Sequence, residues 1–106
     1  MTVFAKRLKQ ARVRGKITQE NLGIKAGIDE ASSSARINQY EKGKHTPDFE
    51  TAERLAKVLD VPVEFFYCRS EAMATLVLMF NSLDAPDKQR ALGAIRAMTA
   101  VPTDFQ

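Results

Sequence analysis

The chain has 106 residues, of which 44% are hydrophobic and 27% charged, and its formal net charge is +3, a size and balance that suit one domain with a short appendage. It has no apolar run near the roughly 18 residues of a membrane span and no N-terminal apolar segment of the signal-peptide kind. Its one cysteine, Cys68, excludes an intramolecular disulfide and a multi-cysteine metal site. We therefore expect a cytoplasmic protein without a metal, a cofactor or a membrane partner.

The charge is unevenly distributed along the chain. Residues 1–45 carry ten Lys and Arg against four Asp and Glu, a net charge of +6, whereas residues 46–106 carry six against nine, a net charge of −3. A basic first half beside an acidic second half indicates that the first half meets a polyanion such as DNA. The alternative is an ordinary solvated surface, which composition alone would favour.

The first two helices are predicted from apolar spacing and from their caps. Phe4, Leu8 and Ala11 are spaced to lie on one face of a helix over residues 2–13. Gly15 is suited to the left-handed residue that closes this helix. Thr18 is a good N-cap for a second helix, which Gly27 closes in the same way.

A third helix ends clearly at residues 41–43 but has an ambiguous start. Ile37 and Tyr40 are spaced to point inward. Three residues are plausible N-caps, namely Asp29, Ser32 and Ser33. The sequence leaves the choice between them open.

The fourth helix is capped by Asp48, and five apolar residues follow at helical spacing: Phe49, Ala52, Leu55, Ala56 and Leu59. Asp60 sits at its end, where a left-handed conformation is expected. Pro62 interrupts the chain, and residues 63–67 are predicted to form a short fifth helix.

The remaining segment has a different character. Residues 72–83 are strongly apolar, and Asp84 with Pro86 has the form of a helix start. A last helix is predicted over residues 85–100, with a loose tail over residues 101–106.

Three strings in this order carry a resemblance over about Leu8 to Tyr67: RLKQARVRGKITQENLG, KAGI and INQYEKGKHTPDFETAERLAKVLDVPVEFF. Together they resemble the Cro/cI-type helix-turn-helix domain, also called the Xre family. The resemblance implies an all-α, five-helix lambda-repressor-like DNA-binding domain over residues 1–67. Residues 68–106 would form a C-terminal helical hairpin, the expected dimerisation element.

The chain departs from the family pattern in two places. Gly23 stands where the family usually has a small residue such as Ala, and Gly lowers helix propensity by about 1 kcal/mol. The stretch from Ile28 to Glu41 is about four residues longer than in the commonest members. These extra residues lengthen either the turn or the start of the recognition helix.

The resemblance places DNA contacts on the third helix, around residues 33–42. Base contacts are expected from Ser34, Ala35, Arg36, Asn38 and Gln39. Asn or Gln pairs with adenine through two hydrogen bonds, and an Ala or Ser carbon packs on a thymine methyl. Phosphate contacts are expected from Gln19, Ser33, Lys42, Lys44 and His45. The alternative for each of these residues is plain solvation on the surface.

A structural ion pair between Arg12 and Glu41 is also implied by the resemblance. We expect this pair to be partly exposed, so that it stabilises the fold by only roughly 1 kcal/mol.

The apolar C-terminal segment favours a symmetric homodimer, since a lone surface helix does not tolerate so many apolar residues. The expected interface residues are Met73, Leu76, Val77, Met79, Phe80, Leu83, Leu92 and Ile95. Two alternatives are that this hairpin folds back on its own domain and that two chains swap it.

The sequence therefore predicts a sequence-specific regulator of transcription, most simply a repressor, that binds a palindromic double-stranded DNA operator as a homodimer. The alternative is an antitoxin-like protein that binds a partner protein through its C-terminal helices. An enzyme is not expected, because the chain has one His, one Cys and no phosphate-binding glycine loop. No site for a small-molecule effector is evident.

Overall fold

The computed structural model describes residues 2–101, which are all-helical and contain no β-strand. Their six α-helices and one 3₁₀ helix are α1 (Val3–Arg14), α2 (Gln19–Lys25), α3 (Glu30–Glu41), α4 (Phe49–Leu59), the 3₁₀ helix Val63–Tyr67, α5 (Glu71–Asn81) and α6 (Ala85–Met98). This order confirms the predicted all-α, lambda-repressor-like architecture with a helical extension. None of these helices has the length and apolar character needed to cross a bilayer. The predicted loose tail lies mostly outside the described residues.

Side-chain caps begin five of the α-helices. Thr2, Thr18, Asp48, Ser70 and Asp84 each accept a hydrogen bond from the backbone N–H three residues later. Each cap satisfies one of the donors that a helix leaves without a partner at its N-terminus. The capping roles predicted for Thr18, Asp48 and Asp84 are confirmed.

The helix ends agree with the sequence at two of three positions. Gly27 has a φ of 91° and Asp60 a φ of 56°, both left-handed as predicted. The prediction for Gly15 is wrong, because its φ is −77° and the left-handed residue is Lys16, with a φ of 55°. Gly15 instead continues the helical pattern through a hydrogen bond to the carbonyl of Ala11, so the chain reverses one residue later.

The start of α3 settles where the extra residues lie. The connection between α2 and α3 is only residues 26–29, and Asp29 occupies the N-cap position without a side-chain capping bond. The Ser32 hydroxyl donates to the Asp29 carbonyl at 3.4 Å, inside the helix. Relative to the family pattern described above, the additional residues therefore lengthen the start of α3 and leave the turn short.

One hydrophobic core joins the 3₁₀ helix to the helices before it. Its largest fully buried apolar members are Leu8, Leu22, Ile37, Leu55 and Phe66. The Phe4 and Phe66 rings pack with centroids 5.0 Å apart. Phe49, predicted from helical spacing to lie on the apolar face of α4, is 57% exposed. It is the first residue of that helix, so its side chain lies beyond the core at the N-terminal end of α4.

The C-terminal hairpin projects from this core. Helix α5 buries Ala74, with Val77 and Leu78 partly buried against the core, whereas α6 buries none of its described residues. The described part of the molecule is elongated, with extents of 51 × 26 × 25 Å. Helix α5 thus attaches the hairpin to the domain, and α6 lies outside the core.

Candidate nucleic-acid interface

Helices α2 and α3 pack closely at Gly23, and this contact positions α3. Ser33 is fully buried there, and its hydroxyl donates to the Glu20 carbonyl at 2.7 Å. A side chain at position 23 would collide with this hydroxyl. The missing Cβ therefore lets α3 approach α2 while Ser33 keeps a hydrogen-bonding partner.

Ser33 was predicted to contact phosphate, and the structure contradicts that prediction. Its side chain has no exposed surface, and its one hydroxyl hydrogen already bonds within the protein. The lengthened start of α3 places Ser33 one turn inside the helix, facing α2. Ser33 is a packing residue at the helix junction.

The opposite face of α3 is polar and exposed. Ile37 and Tyr40 are buried, as predicted, which fixes the rotation of the helix. The expected base-contacting residues lie on the outer side, with Ser34, Ala35, Arg36 and Gln39 exposed and Asn38 half-buried. Small, amide and cationic side chains are thus available on one face at the spacing that major-groove reading requires.

Arg12 and Glu41 form the expected ion pair, which holds the end of α3 against α1. Arg12 Nε donates to Glu41 Oε2 at 2.5 Å, and Arg12 Nη2 donates to Glu41 Oε1 at 3.1 Å. The pair is more buried than expected, because the Glu41 side chain is only 4% exposed, whereas that of Arg12 is 16% exposed. Removing one partner of such a pair leaves a desolvated charge, which costs far more than a surface ion pair contributes.

Gln19 links this pair to Asn38 on the polar face of α3. Its Nε2 donates to Glu41 Oε1 at 3.1 Å and to Asn38 Oδ1 at 3.3 Å. A carboxylate oxygen only accepts, so the nitrogen of the Gln19 amide must face Glu41. Both amide hydrogens bond within the protein, so a phosphate contact by this side chain stays a prediction and would have to replace one of these bonds. The backbone N–H of Gln19, at the start of α2, is a second candidate donor to a phosphate oxygen.

The loop after α3 adds positive charge beside the polar face. Lys42, Lys44 and His45 are all exposed. Gly43 has a φ of 73°, and a Cβ there would lie 3.3 Å from Thr2 Cγ2. Glycine therefore allows the sharp turn that carries these cationic side chains away from the end of the helix.

Two residues near this face were missed by sequence reasoning. Thr46 and Thr51 join Arg36, Gln39 and His45 around a polar concavity of about 390 Å³. Helical spacing within α4 could not reveal that its first turn lines the same concavity as α3, because that arrangement is tertiary. The run Thr46-Pro47-Asp48 before α4 was the local signal of a polar helix start at this point.

The expected dimer residues lie on the hairpin in two groups. Met73, Leu76, Met79 and Ile95 are exposed, whereas Val77, Phe80, Leu83 and Leu92 are half-buried. Five of these residues, Leu76, Val77, Phe80, Leu92 and Ile95, line a groove of about 420 Å³ between α5 and α6. We call it the apolar groove.

The helix-turn-helix family model matches residues 8–66, more than half of the chain. The chain belongs to this family. The matched segment runs from α1 to the 3₁₀ helix and contains the whole polar face of α3. The predicted membership of the Cro/cI-type (Xre) regulators is confirmed.

Named relatives agree with this assignment. The chain is 30% identical over 92 residues to the cryptic phage CTXphi transcriptional repressor RstR of Vibrio cholerae, covering 82% of this chain and 79% of RstR. It is 33% identical over 63 residues to the uncharacterized HTH-type transcriptional regulator YqaE of Bacillus subtilis (strain 168), covering 59% and 51% of the two chains. These names describe regulators of transcription.

A solved structure extends the likeness beyond the helix-turn-helix segment. The crystal structure of the transcriptional regulator BswR superposes with a TM-score of 0.82 at 42% identity, covering 88% of this chain and 92% of that one. This coverage exceeds the helix-turn-helix segment, so the alignment reaches into the hairpin. The protein is a DNA-binding transcriptional regulator of the helix-turn-helix family.

Proposed function

We propose that this regulator is a repressor that binds a specific palindromic operator as a homodimer and reads the major groove with the exposed face of α3. The observation that carries the proposal is the braced polar face of that helix. Ile37 and Tyr40 hold its inner side in the core, and the Arg12–Glu41–Gln19 network holds its end. A polar face fixed in this way keeps its side chains in register with base edges.

The proposed base readers divide by chemistry. Gln39 is exposed and offers both a donor and an acceptor, which suits the N6 and N7 edge of adenine. Asn38 has the same groups, and its Oδ1 is oriented by the hydrogen bond from Gln19. Ser34 and Ala35 suit thymine methyl groups, and Arg36 suits guanine.

The proposed phosphate contacts surround this reading face. Lys42, Lys44 and His45 lie in the loop after α3, and the backbone N–H of Gln19 lies at the start of α2. Contacts of this kind position a protein on DNA without reading its sequence. They also make binding sensitive to salt, because each neutralised phosphate releases counterions.

The two proposed functions, DNA binding and dimerisation, belong to successive segments of the chain. Residues 1–67 bind DNA, and residues 68–106 form the dimerisation element through the apolar groove and the exposed Met73, Leu76 and Met79. One helix-turn-helix contacts a single half-site, so a pair of them about one helical turn apart is the common arrangement. A groove that would otherwise expose apolar surface to water supports this assignment. The repressor role is supported by the likeness to RstR, which is named a repressor.

Selection of bound duplexes from a random library tests this function directly. The expected result is a palindromic consensus with half-sites about one helical turn, roughly 10 base pairs, apart. A consensus with one unrepeated half-site would contradict dimeric reading. Binding to all duplexes alike at moderate ionic strength would contradict sequence-specific recognition altogether.

The apolar groove also favours a second candidate, an antitoxin-like protein that holds a partner protein on α5 and α6 and regulates its own synthesis through the same DNA-binding face. Purification from its own host separates the two candidates. A stoichiometric second protein, released when Leu92 is replaced by Asp, would favour the antitoxin-like role. A pure homodimer would favour the repressor alone.

A further inference from the structure

A buried arginine connects the DNA-binding domain to the hairpin. Arg7 lies on α1 and is only 1% exposed. Its Nε donates to the Cys68 carbonyl at 2.8 Å, and its Nη2 donates to the Arg69 carbonyl at 3.1 Å. Its Nη1 donates to Glu71 Oε1 at 3.1 Å, in the first turn of α5. Three donors of one rigid group thus hold consecutive parts of the connection between domain and hairpin.

This arrangement fixes the direction of the connection. A guanidinium is planar and presents its donors in a fixed fork, so two neighbouring carbonyls that bind it cannot rotate independently. The connection itself is short, because the 3₁₀ helix ends at Tyr67 and Ser70 already caps α5. The Lys6–Glu71 ion pair, at 2.9 Å, adds a second contact from α1 to the start of α5.

The same helix holds the recognition helix. Arg12, five residues after Arg7 on α1, carries the ion pair to Glu41 at the end of α3. Helix α1 therefore contacts two elements that lie far apart in the sequence. Arg12 binds the end of α3, and Arg7 binds the start of the hairpin. A rigid helix between them transmits the orientation of one element to the other.

We propose that Arg7 is a positioning residue that sets the separation of the two recognition helices in the dimer, and with it the half-site spacing of the operator. This inference depends on the proposed homodimer formed through the hairpin. If the hairpins of two chains meet, the angle at which each leaves its domain fixes the distance between the two α3 helices. Arg7 fixes that angle without touching DNA.

A spacing series tests the proposal. Duplexes carrying two copies of the selected half-site, separated in steps of one base pair, are titrated with wild-type protein and with Arg7→Lys. Arg7→Lys keeps the charge and loses the planar fork. Wild-type affinity should fall roughly tenfold when the spacing changes by two base pairs, since the second half-site rotates away from its reader.

The variant should show a flatter profile, with a fall below about threefold over the same change and unaltered affinity for a single half-site. Arg90→Lys is the matched control, because Arg90 lies on α6 with its side chain 83% exposed, and it should keep the wild-type profile. A folded Arg7→Lys protein with the wild-type profile would overturn the proposal.

A distance measurement separates this inference from the function on which it depends. A chain with fluorescent labels on Lys25→Cys and Arg90→Cys reports the angle between its domain and its hairpin. The labelled chain is diluted with unlabelled protein so that the distance is measured within one chain. The thiol of Cys68 is buried and therefore protected from the label. Arg7→Lys should broaden the distance distribution even if no palindrome is bound. If Arg7→Lys does not fold, Glu71→Ala, which removes the side-chain acceptor of Arg7 Nη1, takes its place. An unchanged distribution in the folded variant would contradict the positioning role, whatever the DNA result.

Discussion

Gly23 and Ser33 fit together: a Cβ atom at position 23 would lie 1.9 Å from the Ser33 hydroxyl oxygen, well inside any allowed contact. The hydroxyl occupies the space that a methyl group at position 23 would need. The glycine in α2, one of the two departures of this chain from the family pattern, therefore leaves room for a side chain of α3.

Gly23→Ala should destabilise the protein by about 1–3 kcal/mol, because overpacking at the helix junction outweighs the gain of about 1 kcal/mol in helix propensity. Urea unfolding followed by circular dichroism measures the change. Ser33→Ala alone loses the bond to the Glu20 carbonyl, so it should also destabilise. The double variant should lose less than the two single changes together, and a strictly additive result would show that the two residues are not coupled.

Glu41→Ala should cost about 3 kcal/mol, because it leaves Arg12 desolvated without its partner and removes the acceptor of Gln19. Chemical denaturation measures the loss, and Glu41→Gln should lose less because it keeps an acceptor. Arg90→Ala, which breaks the exposed pair with Asp87, provides the comparison and should change stability little. Equal small effects at both sites would show that burial of Glu41 does not strengthen the pair.

Gln39→Ala should weaken binding by about 1–3 kcal/mol at one base position and relax the preference there, because it removes a donor and an acceptor from the reading face. Lys44→Ala should weaken binding to all sequences alike and reduce the salt dependence, since it removes a phosphate contact. Titration of the selected operator and of single-base variants distinguishes the two patterns. If Gln39→Ala weakened specific and random duplexes equally, Gln39 would not be a base reader.

Leu76→Asp should convert the proposed dimer to monomers, because it places a charge in the apolar groove at the proposed interface. Sedimentation equilibrium measures the mass directly. Lys57→Asp, an exposed substitution on α4 outside the groove, is the control and should remain dimeric. A dimer that persists in Leu76→Asp would place the interface elsewhere.

Acidification should weaken the contact between α1 and α5. The hydrogen bond from Lys6, with the charges of Arg7 and Lys6, holds the pKa of the Glu71 carboxyl below its ordinary value of 4.5. The folded state then binds fewer protons than the unfolded state, so this contribution is present above pH 4.5 and is lost as the pH falls through the lower folded pKa.

Thermal melts of wild type and Glu71→Gln across this range test the effect. The stability of the two proteins should differ at neutral pH and converge in acid, and the difference should be small because Glu71 is exposed. The pKa of Asp48 is also lowered, by its hydrogen bonds with Thr51. This carboxyl is present in both proteins, so its effect on stability does not change the difference between them. Parallel curves at all pH values would show that Glu71 does not contribute through its charge.

The candidate reading face of α3 was only partly predictable from the sequence. Ile37 and Tyr40 fixed the rotation of α3 from their spacing alone, and that placed Gln39 and Arg36 outside. Ser33 could not be placed correctly, because its environment depends on a glycine ten residues earlier in another helix. The partners of Gln19 depend likewise on Glu41, 22 residues away.

By itself, the sequence determined the helices, most of their caps and the apolar stripe of the core, because hydrogen bonding at helix ends and side-chain periodicity act within a few residues. Only the tertiary structure decided that α3 gains its extra turn at the start, that Phe49 faces water, and that Arg7 holds the carbonyls of Cys68 and Arg69. Those contacts join residues as many as 62 positions apart. Contacts at such separations leave no periodic trace in the chain, since they are set by how the finished helices pack.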